Sequence, residues 1–356
     1  MRTNRVLLCS YIISSMLVGC GSEESGGGGS TPSAPSNIYS DIDVQSFTTV
    51  MHPESHCFNT NSKFRTEHFI VAAKGTVSDA KLQEVARVAQ NTLDVDLAAY
   101  SWDAWSDLAV DYSNPFEICV IASEGSNGAG TKWGFVVGPN RSGPNLDNLV
   151  KHELKHTYQS RLIGKTGLNA AHTWYAEAIA TALSTNETVS DSQLSSFISQ
   201  VGLTPTQITH DGIQDAVMMQ LSDPSTEYGA YNMAVRYLET QGVSNHALWE
   251  VFKVIKQIET SCMADHQAAL DNGEMVNPIA EDSTSCSGYA TTYSSGATMW
   301  NGEVISGSIE DPIAPSSEPG KSRFQVAFDY VMSPYGVSYD GIDDTTSFRD
   351  TIINGM

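Results

Sequence analysis

Three residues in one short stretch define a chemistry. His152, Glu153 and His156 stand as H-E-x-x-H in His152-Glu153-Leu154-Lys155-His156. On a helix, residues four apart share a face, so the two histidines can direct their imidazoles at one point. Glu153 sits beside them, placed to hold a water rather than an ion. Catalytic zinc takes three protein ligands and leaves its fourth position to water. Glu177, in Trp174-Tyr175-Ala176-Glu177-Ala178-Ile179-Ala180, is the candidate third ligand. Such a set suits metal-assisted hydrolysis with a carboxylate as general base.

Those side chains need helices to position them. Gly143-Pro144 is a turn signal, and the cap-forming residues Asn145, Asp147 and Asn148 follow. Leu146, Leu149, Val150, Leu154, Tyr158 and Leu162 then fall at helical spacing. Val150, Leu154 and Tyr158 form a core stripe, with Leu149, His152, Glu153 and His156 on the adjacent one. Gly164 and Gly167 are expected to end this helix. Ala176, Ala178, Ala180 and Ala182 suit a second helix packed tightly against the first. The plainer alternative is an amphipathic helix whose histidines only border the core.

Together the two segments resemble the gluzincin metallopeptidases of the MA clan, in which H-E-x-x-H is followed by W-x-x-E-(G/A)-x-A. Here the spacer runs from Thr157 to Ala176. The resemblance implies that His152, His156 and Glu177 bind one zinc ion and that Glu153 is the general base. Ala178 stands where glycine is usual. Thr181 stands where thermolysin-like members carry an acid, which sets this chain apart from thermolysin itself. Further on, the stretch from Tyr228 to Leu238, Gly242, and Leu248-Trp249 to Ile258 resemble a helical segment of aminopeptidase-like gluzincins. In that group a tyrosine donates a hydrogen bond to the tetrahedral intermediate. Tyr228 aligns best with it and Tyr231 second, and a phenol there stabilises charge that exists only in the transition state. The stretch from Phe324 to Phe348, with Phe328, Gly336 and Ser338, is similar to a C-terminal helix-turn-helix of the same group. The family also sets a strand just ahead of the motif helix at the sheet edge, where it pairs with extended substrate. On that pattern Trp133, Gly134 and Phe135 are expected to contact substrate, with Gly134 allowing close approach. The run Gly125-Ser126-Asn127-Gly128-Ala129-Gly130 is expected to flex at the cleft rim. An ordinary hairpin is the alternative.

The N-terminus speaks to compartment. Arg2 and Arg5 precede an apolar run from Val6 to Val18, the pattern of a secretory signal. Its end, Leu17-Val18-Gly19-Cys20, resembles the bacterial lipoprotein cleavage box. That implies a signal peptide over 1–19 and an acylated Cys20 as membrane anchor. Residues 20–37 are rich in Gly, Ser and Pro, as a tether requires. Gly21 and Ser22 lack the aspartate that retains lipoproteins at the inner membrane, which favours the outer membrane of a Gram-negative cell. Of the six cysteines, Cys9 falls in the signal. Cys57, Cys119, Cys262 and Cys286 remain, an even set that suggests two disulfides in an exported chain. Three pairings are open, and Cys57–Cys119 with Cys262–Cys286 is favoured. The net charge of -22 repels nucleic acid and anionic lipid.

Residues 38–356 are expected to form one gluzincin-like peptidase domain, with a sheet-containing half over 38–145 and a mainly helical half over 146–356. Strands are predicted at 67–73, 116–122 and 132–137, with an amphipathic helix over 78–99. The fold class is α+β: a small N-terminal sheet with helices, packed on a mostly helical C-terminal half, the zinc between them. The run His52-Pro53-Glu54-Ser55-His56-Cys57 reads as a solvated loop. The expected activity is zinc-dependent peptide hydrolysis at the cell envelope. No G-x-M-E-N-like acidic loop precedes the motif, which tilts the reading toward endopeptidase or oligopeptidase action. Two other classes stand beside it: an inert peptide- or protein-binding surface lipoprotein, and a zinc hydrolase of a non-peptide amide.

Overall fold

The computed structural model describes residues 39–100, 113–163, 173–184, 234–271, 292–293, 309–310 and 323–339, with Leu108, Val110, Leu168, Ala171 and Asn232. Its elements in chain order are β1 (Gln45–Ser46), β2 (Ser62–Arg65), β3 (Phe69–Lys74), α1 (Asp79–Tyr100), β4 (Phe116–Ile121), β5 (Gly128–Thr131), β6 (Gly134–Val137), α2 (Pro144–Ile163), α3 (Thr173–Ala182), α4 (Asn245–Asp271), β7 (Thr292–Tyr293), β8 (Ile309–Glu310) and α5 (Arg323–Met332). The molecule is α+β, as its sequence predicts. Cys20, Tyr228, Tyr231 and Cys286 lie outside the described residues, and so does the side chain of Cys262. Among the described residues no helix is long and apolar enough to cross a membrane.

Period-two alternation builds the sheet. Phe69, Val71, Phe116, Ile118, Val120, Phe135 and Val137 point to one face and join the main core with α1 and α2. Ile70, Ala72, Cys119 and Val136 point to the other face, where Met51 and Cys57 cover them. The strand order is β1-β2-β3-β4-β6-β5. β3, β4 and β6 run parallel, and α1 makes the crossover from β3 to β4. β1, β2 and β5 pair antiparallel with their neighbours.

Two expectations change here. The strand ahead of the motif helix, β6, is not at the edge but lies between β4 and β5. The run read as a flexing rim supplies the edge strand itself, Gly128–Thr131. The hairpin turn Lys132-Trp133 folds β5 back outside β6, and turn chemistry of this kind is weakly written in sequence. The run from His52 to Cys57 also differs from a solvated loop. Met51, Ser55 and Cys57 are buried against the sheet, and Cys57 is bonded to Cys119. That disulfide is the pairing the sequence favours, and it fastens the covering segment to the middle of β4.

The helices follow their local signals. Ser78 caps α1, its Oγ accepting from the backbone N–H of Lys81 at 3.2 Å. Pro144 opens α2 after Gly143, whose φ of +57° suits a residue without a Cβ. Ser244 caps α4, accepting from the N–H of Ala247 at 3.2 Å. Lys81 ties the start of α1 to the segment before α2, donating to Arg141 O at 2.7 Å and Ser142 Oγ at 3.0 Å. On the core side of α2, Lys155 is fully buried and bonds Asp96 of α1. Tyr158 donates to the same carboxylate at 3.1 Å.

Candidate metal centre

Helix α2 displays His152, Glu153 and His156 on the stripe beside its core face, as the spacing predicts. All three are buried. Helix α3 brings Glu177 to them. Its anchor is aromatic: Trp174 and Tyr175 pack against Phe324 and Phe328 of α5, and Tyr175 donates to Leu248 O of α4 at 2.8 Å. The tryptophan of the W-x-x-E segment thus serves the core, and its helix carries the carboxylate to the histidines.

The donor atoms form a small triangle. Nε2 of His152 and Nε2 of His156 stand 3.1 Å apart, and each is 3.3 Å from Oε2 of Glu177. Among the described residues this is the one group of three or more such side chains able to hold a metal ion. A tetrahedral zinc with bonds near 2.0–2.1 Å needs ligand atoms about 3.3–3.4 Å apart. The two nitrogens and one oxygen are the donor types zinc prefers, so the residues fit the ion.

Electrostatics agree with a cation receptor. Burial works against a charged imidazole at His156, yet Glu177 and Glu153 outweigh it and push the group up to about 9. Burial likewise favours a neutral Glu177, but the two histidines hold its carboxyl below the usual carboxylate range. Glu153 differs. Burial dominates there and raises its carboxyl above the ordinary value, with the histidines opposing. Its Oε1 is buried with no hydrogen-bond partner among the described residues. An unpaired carboxylate oxygen in the interior costs stability, so it calls for a reason beyond packing.

The edge strand lies directly on this site. A Cβ at Gly128 would sit 2.8 Å from Oε1 of Glu153, and one at Gly130 would sit 2.5 Å from Glu153 O and from Cβ of His156. Both glycines are needed for β5 to rest on the motif helix. Gly130→Ala is therefore expected to push strand from helix, costing about 1–3 kcal/mol. Urea unfolding reads that loss, and a parallel zinc titration should show weaker binding. An unchanged stability would mean the strand does not bear on α2.

The residues expected to meet substrate lie in β6 and in the turn ahead of it. Phe135 is in the main core. Gly134, at φ +148°, lets β4 approach: a Cβ there would lie 1.9 Å from Glu117 O. Trp133 stacks on His52 at 3.5 Å and donates from Nε1 to Glu54 at 2.7 Å. The close approach that Gly134 permits is thus made by the neighbouring strand β4. The sequence reading took Gly128 and Gly130 only as part of a flexing rim, and it passed over the Lys155–Asp96 pair and Gln159. The G-x-G spacing of 128 and 130, one strand face turned to a helix, was the signal for the first two.

No protein-family model, no curated protein and no solved structure matches this chain.

Proposed function

We propose that the chain is a zinc-dependent metallopeptidase of gluzincin type, hydrolysing peptide bonds at the cell envelope as an endopeptidase or oligopeptidase. The observation that carries this is the triangle of His152, His156 and Glu177 with the buried Oε1 of Glu153, unpaired among the described residues, beside it. His152, His156 and Glu177 would hold the ion. When bound, zinc acidifies its water and polarises the scissile carbonyl. Glu153 takes the proton from the attacking water and passes it to the leaving amine. Its Oε1 has no hydrogen-bond partner among the described residues, so that oxygen is open to accept the proton. A relic binding protein has no need of a buried acid with an unsatisfied Oε1, which favours the enzyme reading.

The substrate-pairing role passes from β6 to β5. Gly128–Thr131 is the last strand of the sheet, and it lies over Glu153 and His156. An extended peptide added antiparallel to it would run past the metal centre. The strand, Gly-Ala-Gly-Thr, carries no carboxylate to hold a substrate amine. That supports cleavage within a chain. Tyr228, with Tyr231 second, remains the candidate oxyanion donor by resemblance, and Cys20 the candidate lipid anchor.

The test uses the soluble chain from about Asn37 onward. Zinc is measured by elemental analysis, and cleavage by mass spectrometry on unfolded protein and mixed peptides. One zinc per chain, with cleavage abolished by a chelator and restored by zinc, is the expected result. Zinc without cleavage moves the reading to a binding role or a non-peptide amide. A parent that takes up no zinc overturns it.

A further inference from the structure

Gln159 lies three residues past His156, is fully buried, and touches both helices of the metal centre. Its Nε2 is 2.8 Å from the carbonyl oxygen of Ala176, and its Oε1 is 2.8 Å from Nδ1 of His156. A carbonyl oxygen only accepts, so Nε2 must donate to Ala176, and this fixes which way the amide faces. Oε1 also only accepts, so Nδ1 of His156 is the nitrogen that carries the proton. In the neutral ring that a metal takes, the lone pair is then on Nε2, the atom turned to His152 and Glu177. Ala176 immediately precedes Glu177 in α3. The same side chain therefore also sets how the carboxylate's helix lies against the histidines' helix.

We infer that Gln159 is the positioning residue of this centre: it fixes the tautomer of His156 and fastens the helix of Glu177 to the motif helix. The inference rests on the reading of His152, His156 and Glu177 as zinc ligands. It adds a residue that the H-E-x-x-H pattern does not contain. An amide held at both ends transmits geometry from one ligand helix to the other. Losing a hydrogen-bonded partner of a ligating histidine changes metal affinity by about 10–100-fold.

Two measurements test it, on the soluble chain and on Gln159→Met and Gln159→Glu. The first is zinc affinity by competition with a chromophoric chelator, with thermal unfolding of the metal-free proteins run alongside. Methionine fills a similar volume and supplies neither bond. Glutamate restores the acceptor for Nδ1 but not the donor to Ala176. The expected result is zinc binding weakened about 10–100-fold in Gln159→Met, with Gln159→Glu falling between it and the parent. Equal affinities for the two variants, or a methionine variant within about twofold of the parent, would overturn the assignment. The second measurement needs no variant. Nitrogen-15 NMR of the zinc-loaded parent should show the proton of His156 on Nδ1, and a proton on Nε2 would overturn it. A parent that binds no zinc fails the zinc reading itself, before Gln159 is tested.

Discussion

On the metallopeptidase proposal, Glu153→Gln is expected to keep its zinc and to lose about 10²–10⁴ in kcat, the range for removing a general base. Glutamine has the shape of glutamate but takes up no proton at neutral pH. Glu153 is not one of the three converging donors, so metal content should stay at the parent value. Stability adds a second, opposite expectation. Glu153 is buried, its Oε1 has no partner, and burial disfavours its charge. A neutral amide removes that desolvation cost, so the variant should melt at or above the parent temperature. Higher stability with lower activity is the pattern of a residue kept for chemistry. Elemental analysis, steady-state kinetics on a cleaved peptide and a melting curve together decide it. Zinc lost from the variant would show that Glu153 supports the site structurally, and unchanged turnover would remove it as the base.

Asp96→Ala costs about 3–5 kcal/mol, because it strands a buried ammonium. Lys155 has no exposure, and its bond to Asp96 joins α1 to α2. Burial pulls the Lys155 ammonium below its ordinary pKa, and Asp96 opposes that pull. Tyr158 donates to the same carboxylate, and the ammonium lies 5.5 Å from the ring centre of Tyr100. With Asp96 gone, the ammonium and the Tyr158 hydroxyl lose their acceptor together. The pair Lys155→Met with Asp96→Asn removes both charges and keeps an acceptor for Tyr158. It should recover most of the loss, since a buried ion pair is worth little against well-packed neutral groups. Urea unfolding of Asp96→Asn, Lys155→Met and the pair of them reads this as a coupling energy. A single variant as stable as the parent would mean that Lys155 finds another partner or is neutral in the fold.

The candidate site was legible where chemistry and helical period coincide. His152, Glu153 and His156 lie within one turn, and their mutual placement follows from 3.6 residues per turn alone. Glu177 was reachable because W-x-x-E carries a recognisable pattern. Gln159 was not. A glutamine on a helix has no marked spacing until a second helix supplies Ala176 O as its partner. Asp96 and Lys155 are 59 residues apart, and nothing local tells either that it is buried.

The sequence by itself determined the local elements: the alternation of β3, β4 and β6, the capped α1 and α2, the H-E-x-x-H face, and two cysteines that suit a bond in an exported chain. These are set by short-range sterics and periodicity, which act within a few residues. Tertiary structure alone decided which strand is the edge. Gly128–Thr131 reads as a glycine-rich loop until β6 offers its free side and α2 offers a surface that only glycines can approach so closely. Strand order and close packing arise from residues far apart in the chain, so the strand beside the candidate metal site appears only once the sheet has formed.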